Sequence, residues 1–312
     1  MPMGKDFHAV DGLIGANLAD LVSDACTAKH LNVVVDAIVN DSASSLLSGA
    51  YLSSSSPVAL ILGTGLNATV DLSVSAIARH KFGARPAAWH ATARHVLTNT
   101  ELSLFGRHVF PVTKWDHELN RTHSKPDFQP LEYLTSGRYL GEIARLVLLD
   151  GIRIAHLFDG ATPANFEQYA LTTETIAAIE RDISPSLSRA YAVMTAKHPL
   201  PGGKQYSRTD LAHVKHIITL ISSRAAAYLA TAVHAVCEFK YRHESGFPTE
   251  QDVVVACNGS VLEKYPNFLS RTQAWLDIMR WRSPERARVK LELTGESVLL
   301  GAAVAVACQG QS

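Results

Sequence analysis

Three polar clusters interrupt apolar runs of strand length, and each carries residue types suited to chemistry. Ile38-Val39-Asn40-Asp41-Ser42 sets a carboxylate at the end of a mostly apolar segment. Held there by a rigid element, it is partly desolvated and can take a proton from an alcohol, as phosphoryl transfer to a hydroxyl requires. On this stretch alone, Asp41 suits the cap of a following helix better. Leu62-Gly63-Thr64-Gly65-Leu66-Asn67 places glycines where backbone N–H groups can approach a phosphate without Cβ obstruction, and a tight hairpin turn has the same composition. Asn258-Gly259-Ser260 follows another apolar run and suits either a nucleotide contact or a plain turn. Two more carboxylates, Glu101 and Glu132, can each accept two directional hydrogen bonds from vicinal hydroxyls. Taken singly, Glu132 is better explained as a charge at a helix N-terminus, and Glu101 as a solvated loop acid.

The elements that must position these residues follow from periodicity. Asn17–Ala28 predicts a helix with Leu18, Leu21, Val22 and Ala25 on one face, and Asn32–Val39 predicts a β-branched strand. A helix of small residues follows Asp41. Val58–Leu62 and Asn67–Leu72 predict a hairpin bent at Gly63–Gly65. Residues 73–94 have no clean period. Leu131–Asp150, Thr172–Met194 and Asp210–Val236 predict helices, the last two separated by Pro199-Leu-Pro-Gly-Gly203. Val253–Cys257 and Val289–Leu293 predict strands, with a helix through Ile278 between them and a closing helix over Ser297–Cys308. Strands alternating with helices define an α/β chain.

Composition bounds the partners. The 312 residues are 47% hydrophobic and 19% charged, with 29 basic and 29 acidic side chains, so no charge excess points to nucleic acid or an anionic membrane. The longest apolar stretch noted, Val298–Cys308, is too short to span a bilayer, and the first ten residues lack a signal-peptide core. Cys26, Cys237, Cys257 and Cys308 form no CxxC pair, and Cys257 and Cys308 end apolar runs like buried hydrophobes. A reducing, cytoplasmic setting is expected. The fourteen histidines are scattered, and the pair His213 and His216 has no third ligand nearby, so no metal site is predicted.

The order of the pieces resembles the motif order of the hexokinase family. It runs Val39-Asn40-Asp41, then Gly63 to Ala68, then Asn99 to Gly106, then Glu132 to Glu142 with Ser136-Gly-Arg-Tyr-Leu-Gly-Glu142. Ile221-Ser-Ser-Arg-Ala-Ala226, Val255 to Phe268, Gly301-Ala-Ala and Met3-Gly-Lys-Asp-Phe7 extend the likeness from Lys5 to the C-terminus, with gaps. The resemblance implies an actin-like ATPase (ribonuclease H-like) fold, mainly the large lobe over residues 1–296, with residues 297–312 as closing helix and tail. It implies Asp41 as general base on a sugar's primary hydroxyl. Asn40, Asn67, Glu101 and Glu132 would hold the other hydroxyls, with Lys5 assisting. Gly63, Thr64 and Gly65 would form a second phosphate loop, and Gly259 and Ser260 would lie near the nucleotide, ATP with Mg²⁺. The substrate implied is a hexose or N-acetylhexosamine phosphorylated at the 6-hydroxyl.

The departures are specific. No Leu-Asp-Leu-Gly-Gly-Thr-Asn-type first phosphate loop is present, so the small lobe is expected to be largely missing. Asn258 stands for an Asp, Gly4 for a Thr, and Thr294 to Leu300 for a Gly-rich nucleotide loop. The mixture resembles the divergent fungal branch that includes N-acetylglucosamine kinases and members proposed to be regulatory. The alternative to a kinase is therefore a non-catalytic sugar-binding or regulatory protein, or an inactive fragment without the first phosphate loop.

Overall fold

Five strands make one sheet: β1 (Val58–Leu62), β2 (Leu66–Ser73), β3 (His95–Asn99), β4 (Val253–Asn258) and β5 (Val289–Leu293), in the order β3-β2-β1-β4-β5. The computed structural model describes residues 12–52, 56–244, 246–295 and 297–309. β1 pairs β2, and β2 pairs β3, antiparallel; β1–β4 and β4–β5 are parallel. The expected hairpin is therefore present. Because β1 and β4 run the same way, with Ile61 opposite Asn258, the turns at Gly63 and Gly259 leave the sheet side by side.

Helices cover both faces, which is why β1 can be apolar along its whole length. α1 (Leu18–Ala28) and α2 (Asp41–Leu52) precede the sheet, and α3 (Ala87–Thr92) lies between β2 and β3. α4 (Lys114–Thr122), α5 (Pro130–Thr135), α6 (Leu140–Ala155), α7 (Thr173–Glu180), α8 (Ser188–Lys197) and α9 (Arg208–Arg242) lead from β3 to β4. α10 (Ser260–Lys264) and α11 (Phe268–Arg280) join β4 to β5, and α12 (Ser297–Gln309) follows. Val58, Leu60 and Leu62 share the main core with Leu140, Leu148 and Leu229. Ala59 belongs to the opposite face, with Leu46 of α2 and Ala256 of β4. Small residues let α2 approach closely: a Cβ on Gly49 would lie 2.9 Å from that of Ala256. α12 packs on α2 in the same way, and a Cβ on Gly301 would stand 1.8 Å from the Ser44 carbonyl oxygen. α9 is long and apolar enough to cross a membrane by length and composition, and half of its most apolar window is buried in this fold.

Several expected elements are corrected. Asn32–Val39 is not a strand; it runs as irregular chain with Val34 78% exposed, because no sheet edge pairs with it. No residue of α1 is buried, so its apolar face has no partner among the described residues. The stretch Leu131–Asp150 breaks between α5 and α6, where Ser136 turns extended and the backbone bonds another loop. Thr172–Met194 breaks between α7 and α8, where Asp182 gathers the N–H groups of Ser184 and Ala190. The helix expected through Ile278 breaks between α10 and α11, where Pro266 and a left-handed Asn267 (φ 57°) intervene. β3 was not foreseen: its residues alternate between exposed and half-buried, so it offers no apolar face to detect. Cys257 is buried as expected, with burial pushing its thiol up to about 12, but Cys308 is exposed.

Candidate functional site

The seam between α2 and β2 fixes the first cluster. Asn40 Oδ1 accepts the Ser42 N–H at 2.9 Å and the Ser42 hydroxyl at 2.6 Å, and Asp41 Oδ1 also accepts the Ser42 N–H at 2.8 Å. Asn40 is thus the residue that caps α2, and Asp41 opens the helix. Both are exposed, so the partial desolvation expected for Asp41 is absent. The Ser42 hydroxyl meets the Thr69 hydroxyl at 2.7 Å, and both residues are fully buried. Neither Ser42 nor Thr69 stood out in the sequence; a polar pair inside a buried helix–strand seam was the available signal.

From Thr69 the polar row continues along one face of the sheet. Asn67 lies two residues before Thr69 on β2, and Asn99 lies opposite Thr69 on β3. The Asn67 amide donates to Asn99 Oδ1 at 2.8 Å, and the Asn99 amide donates to Glu101 Oε1 at 2.8 Å. Glu101 sits in the left-handed region (φ 51°), a conformation uncommon for a side chain of this type, and Asn99 braces it. Asn99 was visible in the sequence motif but was given no role there. Glu132, buried in α5, accepts the Leu66 N–H through Oε2 at 2.8 Å, one residue before Asn67. The structure thus brings Asn40, Asp41, Asn67, Glu101 and Glu132 into one neighbourhood. Lys5 lies outside the described residues.

The turns after β1 and β4 form a second neighbourhood. The Gly63 N–H bonds the Gly65 carbonyl at 3.0 Å, so one of the donors expected to face a phosphate is used inside the turn. The α5–α6 break clamps the same turn: Gly137 N–H donates to Gly63 O at 2.8 Å, and the Ser136 hydroxyl to Thr64 O at 2.9 Å. Gly259 adopts φ 115°, and a Cβ there would stand 2.4 Å from the Leu62 carbonyl oxygen, so only glycine permits this approach. The Gly259 N–H donates to Glu263 Oε1 at 3.0 Å.

Thr64 and Ser260 line a common cleft of about 640 Å³, with Gly137, Arg138, Tyr169, Thr173 and Tyr265 among its walls. One wall is fixed by a buried network: Glu180 Oε2 accepts the Tyr265 hydroxyl at 2.8 Å and the Ser222 hydroxyl at 2.9 Å, while Arg271 pairs with Glu180 at 2.6 Å. Burial, followed by the Glu180 charge, pushes the Tyr265 hydroxyl well above its usual range. A larger groove of about 880 Å³ lies between α4 and α6 around Asp150, and none of the expected residues lines it. Hydroxyls, glycine-made close approaches and cationic side chains suit the smaller cleft to a nucleotide. Among the described residues no group of three or more His, Cys, Asp or Glu gathers that could hold a metal ion, and Mg²⁺ carried by phosphates needs no such group.

A sequence model of the hexokinase family matches residues 57–308. The chain belongs to the hexokinase family. Hexokinase-1 of Oryza sativa subsp. japonica is 29% identical over 309 residues, spanning 97% of this chain and 59% of that protein. Hexokinase of Emericella nidulans is 26% identical, spanning 96% of this chain and 59% of its own length. The structure of a hexokinase from Schistosoma mansoni complexed with glucose superposes with a TM-score of 0.79 at 25% identity, covering 96% of this chain and 63% of that one. The fold is the actin-like ATPase fold of hexokinases, as the sequence motifs implied. The chain spans about three-fifths of the length of these curated relatives.

Proposed function

We propose that this chain holds the sugar and part of the nucleotide of an ATP-dependent kinase acting on the 6-hydroxyl of a glucose-like hexose or N-acetylhexosamine. On this reading residues 1–296 are the large lobe and residues 297–312 its closing helix and tail. The observation that carries the reading is the polar chain Asn67–Asn99–Glu101, with Asn40 tied to the same strand through Ser42 and Thr69 and Glu132 tied to it through the Leu66 N–H, near the cleft walled by Thr64 and Ser260. Asparagine amides and carboxylates in one row offer both donors and acceptors, the mixture that vicinal hydroxyls require. Asp41, held by one oxygen on the Ser42 N–H, takes the proton from the attacking hydroxyl. ATP with Mg²⁺ would supply the transferred phosphoryl group and the cation that offsets its charge. Gly63, Thr64, Gly65, Gly259 and Ser260 are the residues that would lie against it.

The test is Asp41→Ala in the longest in-frame protein that contains this chain. Turnover falls by about 10²–10⁴-fold, the usual worth of a positioned base, while sugar affinity is kept. Unchanged turnover removes Asp41 from the reaction.

A second reading is a sugar-binding or regulatory member without catalysis, and the Glu263 carboxylate on the Gly259 N–H favours it, since a nucleotide phosphate must compete for that donor. Calorimetry of the chain with glucose, N-acetylglucosamine and ATP separates the two readings. Heat from a sugar but none from ATP supports the second.

A further inference from the structure

The pair His213 and His216, which gathers no third ligand for a metal among the described residues, faces a groove that no part of the proposed reaction uses. α9 is amphipathic over its first turns. Leu211, Val214 and Ile218 enter the core, while Thr209, His213 and His216 are spaced by four and three residues and so share the opposite face. Across from them stands the loop that follows α7, with Pro185 and Leu187 in the wall. The groove between has a volume of about 610 Å³, within the range of small-molecule sites, and shares no lining residue with the cleft of Thr64 and Ser260.

Two cations of this groove are anchored without being neutralised. Arg208 Nε donates to the Pro185 carbonyl oxygen at 2.8 Å, and Lys215 Nζ donates to the Asp182 carbonyl oxygen. Carbonyls fix the side chains but leave their positive charge in place. The terminal nitrogens of Arg208 have no acceptor among the described residues, and neither imidazole has a hydrogen-bond partner there. The carboxylates adjacent in the chain are engaged elsewhere. Asp182 accepts the Ser184 N–H and hydroxyl through one oxygen and the Ala190 N–H through the other, and Asp210 accepts the Ser207 hydroxyl at 2.7 Å. Among the described residues no carboxylate lines the groove. Arg208 offers a planar fork, Lys215 a point charge, and each imidazole a ring N–H in either protonation state. From Arg208 to His216 these groups are spread along about 12 Å of helix axis, a span suited to separated phosphates rather than to a single one. We infer that the groove binds a small molecule carrying two or more phosphate groups, with Arg208 at one end, Lys215 and His216 at the other, and His213 between.

The experiment titrates the 312-residue chain with inorganic tripolyphosphate, and with sulfate as a single-anion comparison. It follows the heat and the ring resonances of His213 and His216, each assigned by its loss on substitution with Gln. Tripolyphosphate shifts both resonances to saturation and binds more tightly than sulfate. Arg208→Gln weakens it about tenfold or more, as loss of a charge-assisted hydrogen bond does. The double variant His213→Gln with His216→Gln, at two exposed positions, weakens it severalfold and leaves the thermal midpoint in place. That double variant is the readout if Arg208→Gln lowers the midpoint through loss of its bond to Pro185. Lys264→Gln, which removes a cation from the other cleft, leaves the resonance titration as in the parent. Heat from tripolyphosphate with both resonances unmoved places the anion elsewhere and overturns the inference. Parent-like affinity in Arg208→Gln, or in the double variant where that is the readout, overturns it as well. So do sulfate binding as tight as that of tripolyphosphate, a loss in Lys264→Gln equal to that in Arg208→Gln, and a parent chain that takes up no tripolyphosphate.

Discussion

The hydroxyls of Ser42 and Thr69 meet at 2.7 Å in a seam from which water is excluded. This contact ties the first turn of α2 to β2 and sets Asn40 and Asp41 beside Asn67. Thr69→Val keeps the shape but deletes the hydroxyl. It costs about 1–3 kcal/mol, the range for stranding a buried polar partner, at the low end because Ser42 retains Asn40. Denaturant unfolding measures the loss, and sugar affinity falls with it because the two halves of the polar row lose their registration.

Glu132 gives a second prediction. Its carboxylate accepts the Leu66 N–H from within the core, one residue before Asn67. Glu132→Ala leaves that N–H without its acceptor and destabilises by about 1–3 kcal/mol. Glu132→Gln retains a carbonyl oxygen for it and costs less, yet both weaken sugar binding. The comparison of unfolding free energy with sugar affinity across the two variants separates the structural share from the ligand share.

The α2–α12 contact makes a sharp packing prediction. A methyl group at Gly301 collides with backbone, which cannot rotate away as a side chain can. Gly301→Ala therefore forces the helices apart and costs about 1–3 kcal/mol or more, the overpacking range. Gly295→Ala, where an added Cβ meets nothing within 4 Å, leaves the thermal midpoint in place.

Asp182 makes stability depend on acid. Burial raises its pKa, but hydrogen bonds from the Ser184 hydroxyl and from the Ala190 and Ser184 N–H groups outweigh this and hold the carboxyl down at about 2. A depressed folded pKa contributes stability above the unfolded value near 4, and that contribution is lost as pH falls from about 4 toward 2. The amount is at most about 2–3 kcal/mol. Asp182→Asn removes this part of the acid dependence, so parent and variant unfolding curves converge as pH drops through that window.

How much was legible follows from where the residues lie. Thr64 and Gly259 come just after apolar strands whose composition announces them, because β1 and β4 are buried on both faces, and Asn67 lies at the start of the strand that returns from the first turn. The capping role that Asp41 could have taken falls instead to Asn40, and only coordinates separate neighbours that both suit a cap. The α5–α6 break was hidden because the apolar period continues through it. What ends α5 is a set of carbonyls on a loop some seventy residues earlier, and no local pattern encodes that. Asn32–Val39 shows the converse. Its β-branched composition is real, but a strand exists only where a neighbour completes its hydrogen bonds.

The segment from Glu132 to Arg138 touches both ends of the proposed reaction, through the Leu66 N–H at one end and the Gly63 and Thr64 carbonyls at the other. It therefore acts as a ruler between acceptor and donor. A single inserted or deleted residue would rotate one anchor away from its partner and alter the spacing between the proposed acceptor and donor sites. The length of this stretch is therefore a structural constraint in its own right.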